Sequence, residues 1–325
     1  MVDKRLEPIS NIAFHYGVNP DTLRRHYKNQ LSDYRTWDQG AHAEDYLLFK
    51  DNLSEHLAID EVALSKGELY TLLSSRDNKD KKLISTVSGT KAEDLIEVFS
   101  KLPLDQRLRV KEVTLDMSNS LGKAVSICFP KAQKVTDRFH VVRLVAEALQ
   151  QVRIDQRWIE IAADNQAFIK AQKAGYKHNP RLLPNGDTLK QLLARARYLL
   201  YKWPYQWTLQ QQQRAVLLFQ QYPKIRQAFD LSLSFKAIYN VTDLKKAREA
   251  LSLWIQDAMA SQLDAFKAAA GSIIQHFDTI LAFFLNRATN AHAESFNAQI
   301  KLFRANLRGV TKTRFFLYRL QKIFA

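Results

Sequence analysis

The chain reads as an α/β protein whose mixed sheet follows a small helix-turn-helix module and is interrupted by a large all-helical insertion. Three observations predict this. Two short helical patterns flank a glycine turn within residues 1–40, alternation of period two takes over from about residue 55, and residues 140–285 carry almost only helical periodicity. The resulting division is 1–40 for the helix-turn-helix module, 45–145 for the first part of the sheet domain, 146–275 for the helical insertion, and 276–325 for a C-terminal helix with a basic tail.

Each element follows from local chemistry. In EPISNIAFHYGVNPDTLRRHYKNQL, Ile9, Ile12, Ala13 and Tyr16 recur at helical spacing and Gly17 stops the helix. Asn19 caps a second helix that has Pro20 at its first position and Asp21 in its first turn. Ala13 and Gly17, four apart, allow the two helices to pack closely, as in a helix-turn-helix. HLAIDEVAL, ELYTLLSSRD and KKLISTVSG are β-rich runs separated by turn residues and predict a three-strand meander. KAEDLIEVFSKL is an amphipathic helix, VKEVTLDMS a strand, SLGKAVSICF a helix, and KAQKVTDRFHVV a strand running into a helix. This order builds a mixed sheet. The helical block is broken at GYKHNPRLLPNGD, KWPYQW and Pro223, and its run LQQQQR reads as a helix surface.

Lys and Arg number 48 against 33 Asp and Glu, a net charge of +15, which favours a polyanionic partner, nucleic acid before an anionic membrane. No apolar run has the length of a spanning helix, and MVDKRLEPIS lacks a signal-peptide core. The single cysteine, Cys128, excludes an internal disulfide and a cysteine-cluster zinc site, and a reducing cytoplasm fits. Without GxxxxGK, HExxH or CxxC motifs, no ATP-driven or zinc-peptidase chemistry is indicated. The second helix of the opening module offers Arg24, Arg25 and Lys28, with Thr22 and His26, to phosphates and base edges of double-stranded DNA. The aromatic residues of KWPYQW read as packing, with stacking on exposed bases as the alternative.

Three acids occupy positions where acids are poor structural choices. Asp60 ends the apolar run HLAI within a predicted central strand, and Asp116 ends EVTL in the fourth. Glu294, the last acid of the chain, heads a helix whose stripe continues through Asn297, Lys301, Arg304 and Arg308, with Asn290 before it, while Phe296, Ile300, Phe303 and Leu307 line the opposite side. If the strands are neighbours and the helix packs beside them, Asp60, Asp116 and Glu294 converge beside a basic rim. That oxygen donor set suits Mg2+ or Mn2+, and two such ions about 4 Å apart support phosphodiester cleavage. Each acid alone also has a plain structural reading, as a turn residue or a helix N-terminal charge. Glu61 follows Asp60 directly and faces the other way on a regular strand. Within DRFH, His140 is a candidate for proton transfer or phosphate contact, a packed histidine being the alternative.

LAIDE, VTLDMS, FPKAQKVTDRFHVVRLVAEALQQVR and TNAHAESFNAQIKLFRANLRG resemble the DDE transposases of bacterial insertion sequences, of the ISL3 type, and the likeness covers about residues 5–325. The resemblance implies an RNase H-like catalytic domain with Asp60, Asp116 and Glu294 as its metal-holding acids, interrupted by a helical insertion between Asp116 and Glu294. It implies Mg2+-dependent cutting at the element's ends and attack of the freed 3′-hydroxyl on target DNA. DRFH looks like an Asp-x-x-His signature of related groups. The resemblance also implies a bacterial cytoplasmic, nucleoid-associated protein acting as a homo-oligomer on paired DNA ends, with no membrane partner. Relatives often carry a cysteine-bearing segment before the helix-turn-helix; here that part is either reduced or supplied by a separate N-terminal DNA-binding polypeptide. Two rivals stay open: a non-catalytic DNA-binding remnant or regulator, and a nuclease that cuts without strand transfer.

Overall fold

A computed structural model of the chain describes residues 2–65, 68–77, 83–287, 291–307, 310 and 312–325; the side chains of Lys4, Ser65 and residues 291–294 fall outside that description. The chain divides into two units, residues 1–138 with 286–325, and residues 139–285.

The first unit opens with helices α1 (Ile9–His15) and α2 (Pro20–His26), the second continuing into a π-helical turn, Tyr27–Leu31. Between them Gly17 adopts φ +64°, where a side chain would be strained. Asn19 caps α2 as expected, its side chain accepting from the backbone N–H of Asp21 at 2.9 Å and of Thr22 at 3.1 Å.

Six strands follow: β1 (Tyr46–Leu48), β2 (His56–Ser65), β3 (Glu68–Ser75), β4 (Leu83–Ser88), β5 (Glu112–Leu115) and β6 (Gln133–Thr136). Their order is β1-β4-β3-β2-β5-β6, antiparallel from β1 to β2 and parallel across β2-β5-β6. Helices α3 (Ala92–Phe99) and α4 (Leu104–Arg107) lie between β4 and β5, and α5 (Asn119–Cys128) lies between β5 and β6. The meander and the strand-helix-strand order therefore form as expected. The short edge strand β1 has no counterpart in the sequence reading, because three residues are too few to show a period. A mixed sheet of this order is compatible with an RNase H-like domain.

Side-chain alternation along the strands divides the core in two. On one face, Leu57, Ile59, Leu73, Val113 and Leu115 pack against Leu95, Phe99, Leu121 and Val125 of α3 and α5. Cys128 is buried there, and burial pushes its thiol up, away from the reactive thiolate. On the other face, Val62, Leu64, Tyr70 and Leu72 pack against helices α13 (Ala291–Asn306) and α14 (Thr313–Phe324) through Phe296, Ile300, Phe303, Phe316 and Leu317. Ile9, Tyr27 and Trp37 from the start of the chain join this second core. Tyr318 in α14 is edge-on to Tyr27, Tyr34 and Trp37, and its hydroxyl donates to Asp33. Burial and that acid push the Tyr318 phenol up to about 12.

The regular elements of the second unit are helices: α6 (Arg138–Lys173, starting one residue before the unit), α7 (Leu189–Arg195), α8 (Leu209–Gln221), α9 (Pro223–Ile238), α10 (Leu244–Ala260), α11 (Asp264–Gln275) and α12 (Phe277–Asn286, ending one residue after it), besides short 3-10 turns. Aromatic contacts hold it, among them Phe235 on Trp254 at 4.7 Å and Tyr239 stacked on Phe284 at 5.6 Å. Asp187 is fully buried and accepts from Arg195 and from Arg214 (3.1 Å). Trp207 of KWPYQW packs on Phe229 at 5.5 Å, as the packing reading expects, whereas Tyr205 stays exposed. Among the described residues no single helix is long and apolar enough to cross a membrane.

One ion cluster in this unit carries a pH prediction. Asp164 accepts from Lys190 and, at 2.8 Å, from His178, and these partners hold its carboxyl below the ordinary value of 3.8. A lowered carboxyl stabilises the fold fully above that ordinary value, and the contribution is lost as pH falls below it. Asp164→Asn is expected to lower stability at pH 7 and to flatten the acid limb of the stability curve below pH 4; urea midpoints measured from pH 2.5 to 7 check both.

Candidate active site

The parallel register of β2 and β5 pairs His56 with Glu112, Leu57 with Val113 and Ala58 with Thr114. Continued by two residues, the same offset sets Asp116 beside Asp60 on adjacent strands, which lie about 4.8 Å apart in a sheet. The β5–β6 register, Leu115 opposite Thr136, continues in the same way and sets Asp137 beside Asp116. The Asp137 backbone N–H donates to the Leu115 carbonyl at 2.8 Å. Val113 and Leu115 face α3 and α5, so Thr114 and its neighbours at even positions face the side covered by α13.

Asp116 stands one residue beyond β5, half-buried, with Oδ1 accepting from the Ser118 N–H at 2.8 Å; Ser118 in turn caps α5. Asp60 is half-buried within β2. Its Oδ1 accepts from the Glu61 N–H at 2.8 Å and its Oδ2 from the side-chain amide of Asn297. Below this level, Arg76 pairs with Glu112 at 2.5 Å and donates to Thr114 Oγ1 at 3.1 Å, and Asn286 reaches Glu112 at 3.4 Å.

Helix α13 runs along β2. Asn297 contacts Asp60, and seven residues later Arg304 donates from Nη1 to the Ala63 carbonyl at 2.8 Å. Seven helical residues rise about 10.5 Å and three strand residues about 10 Å, so helix and strand advance in step. Glu294 is a member of α13, about one turn before Asn297; its side chain lies outside the described residues. Among the described residues, no three His, Cys, Asp or Glu side chains gather closely enough to hold an ion. The donors that are described are of the type a hard divalent cation takes: the carboxylates of Asp60 and Asp116, level by register, and on Asp60 a buried Asn297 whose Oδ1 has no partner among the described residues.

The expected basic face of α13 needs a correction. At about 100° per residue, its polar stripe adjoins the apolar one instead of opposing it. Asn297 and Arg304 are the polar members nearest the apolar side, and they turn to β2: Asn297 is 4% exposed and Arg304 half-buried. Lys301, about 40° further round, is exposed. Asn290 and Arg308 lie outside the described residues. On α2, Arg24 and Arg25 are exposed, Arg24 paired with Asp21 at 2.6 Å, while Lys28 is half-buried over the ring of Phe315 at 3.9 Å. His140 falls in the other unit, half-buried in the first turn of α6 and edge-on to Phe139 at 5.7 Å. Sequence reasoning did not pick out Arg76, Glu112 or Asn286; each has a common residue type in an unexceptional context, and only the fold gathers them. Asn297→Ala strands the Asp60 oxygen and is expected to cost about 1–3 kcal/mol, readable as a drop in the thermal midpoint. An unchanged midpoint would remove the contact from this account.

A mixed sheet whose β2–β5 register brings Asp60 and Asp116 level, with α13 docked on β2 through Asn297, is compatible with an RNase H-like domain of the DDE class. Residues 57–320 match the model of the ISL3-type DDE family, described as transposase, and the chain belongs to that family. It is 24% identical over 246 residues to the transposase for insertion sequence element IS1557 of Mycobacterium tuberculosis, covering 76% of this chain and 54% of that protein. It is 25% identical over 273 residues to the transposase for insertion sequence element IS1001 of Bordetella parapertussis, covering 83% and 61%. The chain thus spans between half and two thirds of the length of these relatives. The family generally uses divalent metal ions.

Proposed function

We propose that the chain is a DNA transposase that cuts insertion-sequence ends and joins the freed 3′-hydroxyl to target DNA, working on an RNase H-like sheet. The observation that carries this reading is the register that sets Asp116 beside Asp60, with α13 docked on the same strand through Asn297. In this reading Asp60, Asp116 and Glu294 would hold Mg2+ or Mn2+, which when bound lowers the pKa of an attacking water or hydroxyl and offsets charge on the phosphate.

The protein's own groups do the rest. Asn297 orients the Asp60 carboxylate by its amide N–H, and Ser118 does the same for Asp116. Arg304 anchors α13 to β2 with one N–H and has others left for a phosphate, beside Lys301. Residues 1–40 act as a helix-turn-helix module, presenting Arg24, Arg25 and Lys28 to duplex DNA. His140, in the first turn of α6, contacts a phosphate or moves a proton. Two or more copies assemble on paired ends. Phosphate contacts of this kind make affinity fall steeply with salt.

The test is incubation with duplex carrying the element's own ends, with Mg2+ and with EDTA. Metal-dependent nicks and a strand-transfer product are the expected result. Binding without nicks supports the rival reading of a non-catalytic DNA-binding protein, and nicks without strand transfer support a nuclease.

A further inference from the structure

Helices α1, α2 and α14 border a cavity of about 590 Å³ that no Asp or Glu among the described residues lines. Four cations among the described residues do: Arg24 of α2, Lys28 of the π-helical turn, Lys312 just before α14, and Arg319 within α14. The remaining wall is largely apolar, with Ile9, Leu307 and Phe315.

Arg319 is the unusual member. It is 1% exposed, its Nη2 donates to the Arg5 carbonyl at 3.0 Å, and its guanidinium lies 5.3 Å from the Phe303 ring centre. Among the described residues its Nε has no hydrogen-bond partner and no carboxylate lies within ion-pair reach of it. The acid it feels, Asp3, already accepts from the Tyr27 hydroxyl. A buried guanidinium with no ion pair of its own is costly, and an anion entering the cavity lowers that cost. Lys28 shows the same tension: burial first, then Lys312 and Arg24, hold its ammonium below the ordinary lysine value. Of the four cations, Arg24 alone has an acid partner among the described residues, the exposed Asp21.

We propose that this cavity is a binding site for an organic phosphate, with the phosphoryl group on Arg24, Lys28, Lys312 and Arg319 and the body against Ile9, Leu307 and Phe315. Its volume lies within the range of small-ligand pockets, roughly 300–1,000 Å³, and exceeds what a bare phosphate fills. Guanidinium and ammonium groups together suit phosphoryl oxygens. A nucleotide has both required parts, an anionic head and a flat body. It arrives either free or as one residue of a DNA strand, and the strand source alone rests on the transposase reading.

The test is titration calorimetry of the full chain with deoxyadenosine 5′-monophosphate, inorganic phosphate and deoxyadenosine at one ionic strength. The nucleotide is expected to bind at one site, inorganic phosphate at least about tenfold more weakly, and the nucleoside without detectable heat. Lys312 is exposed, so Lys312→Ala and Lys312→Glu keep the fold; they are expected to weaken the nucleotide by about tenfold and by more than that, respectively. Absence of nucleotide binding to the native chain overturns the proposal, as does unchanged affinity in the Lys312→Glu chain. Displacement of the bound nucleotide by a single-stranded oligonucleotide assigns the site to a DNA strand, and persistence assigns it to a free nucleotide. End cleavage without nucleotide binding removes the pocket and leaves the transposase reading; nucleotide binding without end cleavage does the reverse.

Discussion

Glu294→Gln is expected to leave binding to the element's ends intact and to lower their metal-dependent cleavage by on the order of 10³-fold. The motive is the placement of α13, which Asn297 and Arg304 hold against β2 with Glu294 one turn ahead of the contact to Asp60. The magnitude follows from losing several kcal/mol of charge stabilisation at a metal, each 1.36 kcal/mol being a factor of ten. Asp116→Asn is the matching change on the sheet. The amide oxygen still accepts from the Ser118 N–H, so the turn into α5 is kept while the charge is lost. Asp60→Asn is less clean, because both Asp60 oxygens accept and the new NH2 group must meet one of the two donors, the Glu61 N–H or the Asn297 amide. If the three acids act as a unit, the double variant Asp116→Asn/Glu294→Gln falls little below either single one. Gel analysis of labelled ends, with binding measured in parallel, reads all of these. Full cleavage by the Glu294→Gln chain would leave α13 as a DNA clamp only.

The second large effect concerns the floor of the same site. Glu112 of β5 has a side chain 4% exposed, and Arg76, 13% exposed, pairs with it at 2.5 Å while also donating to Thr114 at 3.1 Å. Arg76→Met removes the cation and leaves a buried carboxylate whose other described contact is the long one from Asn286. The cost of breaking one partner of a buried pair is about 3–5 kcal/mol. The double change Arg76→Met/Glu112→Gln is expected to recover most of it, because the stranded charge is gone as well. Urea unfolding of the three chains measures this, and equal midpoints for native and Arg76→Met would show that Glu112 is hydrated. Because Glu112 opens β5 and Asp116 directly follows that strand, loss of the pair is also expected to lower cleavage through the position of Asp116.

Much of the sheet was legible in the chain. The strands around Asp60 and Asp116, the helices on either side of β5 and the cap at Asn19 all announce themselves through period, turn chemistry and capping, which act within a few residues. The acids were visible for the same reason, since an Asp closing the apolar runs HLAI and EVTL stands out; Asp60 proves to lie within β2 and Asp116 one residue beyond β5. Period alone misjudged α13. A helix may be polar along a stripe that still adjoins its apolar side, and the partner surface decides how far round burial extends; β2 took Asn297 and Arg304 and left Lys301 in solvent.

By itself, then, the sequence determined most of the segments that become strands and helices, which acids stand out against their apolar neighbours, and the sign of the molecule's net charge, because all three depend on neighbours in the chain or on composition. Only the tertiary structure decided that Asp116 stands beside Asp60, that Asn297 is the donor to Asp60, that Arg76 neutralises Glu112, and that Ile9, Tyr27 and Trp37 share a core with α14. The physical reason is common to the four. Strand register and helix docking are settled by packing and hydrogen bonds between residues far apart in the chain, 237 positions apart for Asn297 and Asp60, and no local pattern encodes such a distance.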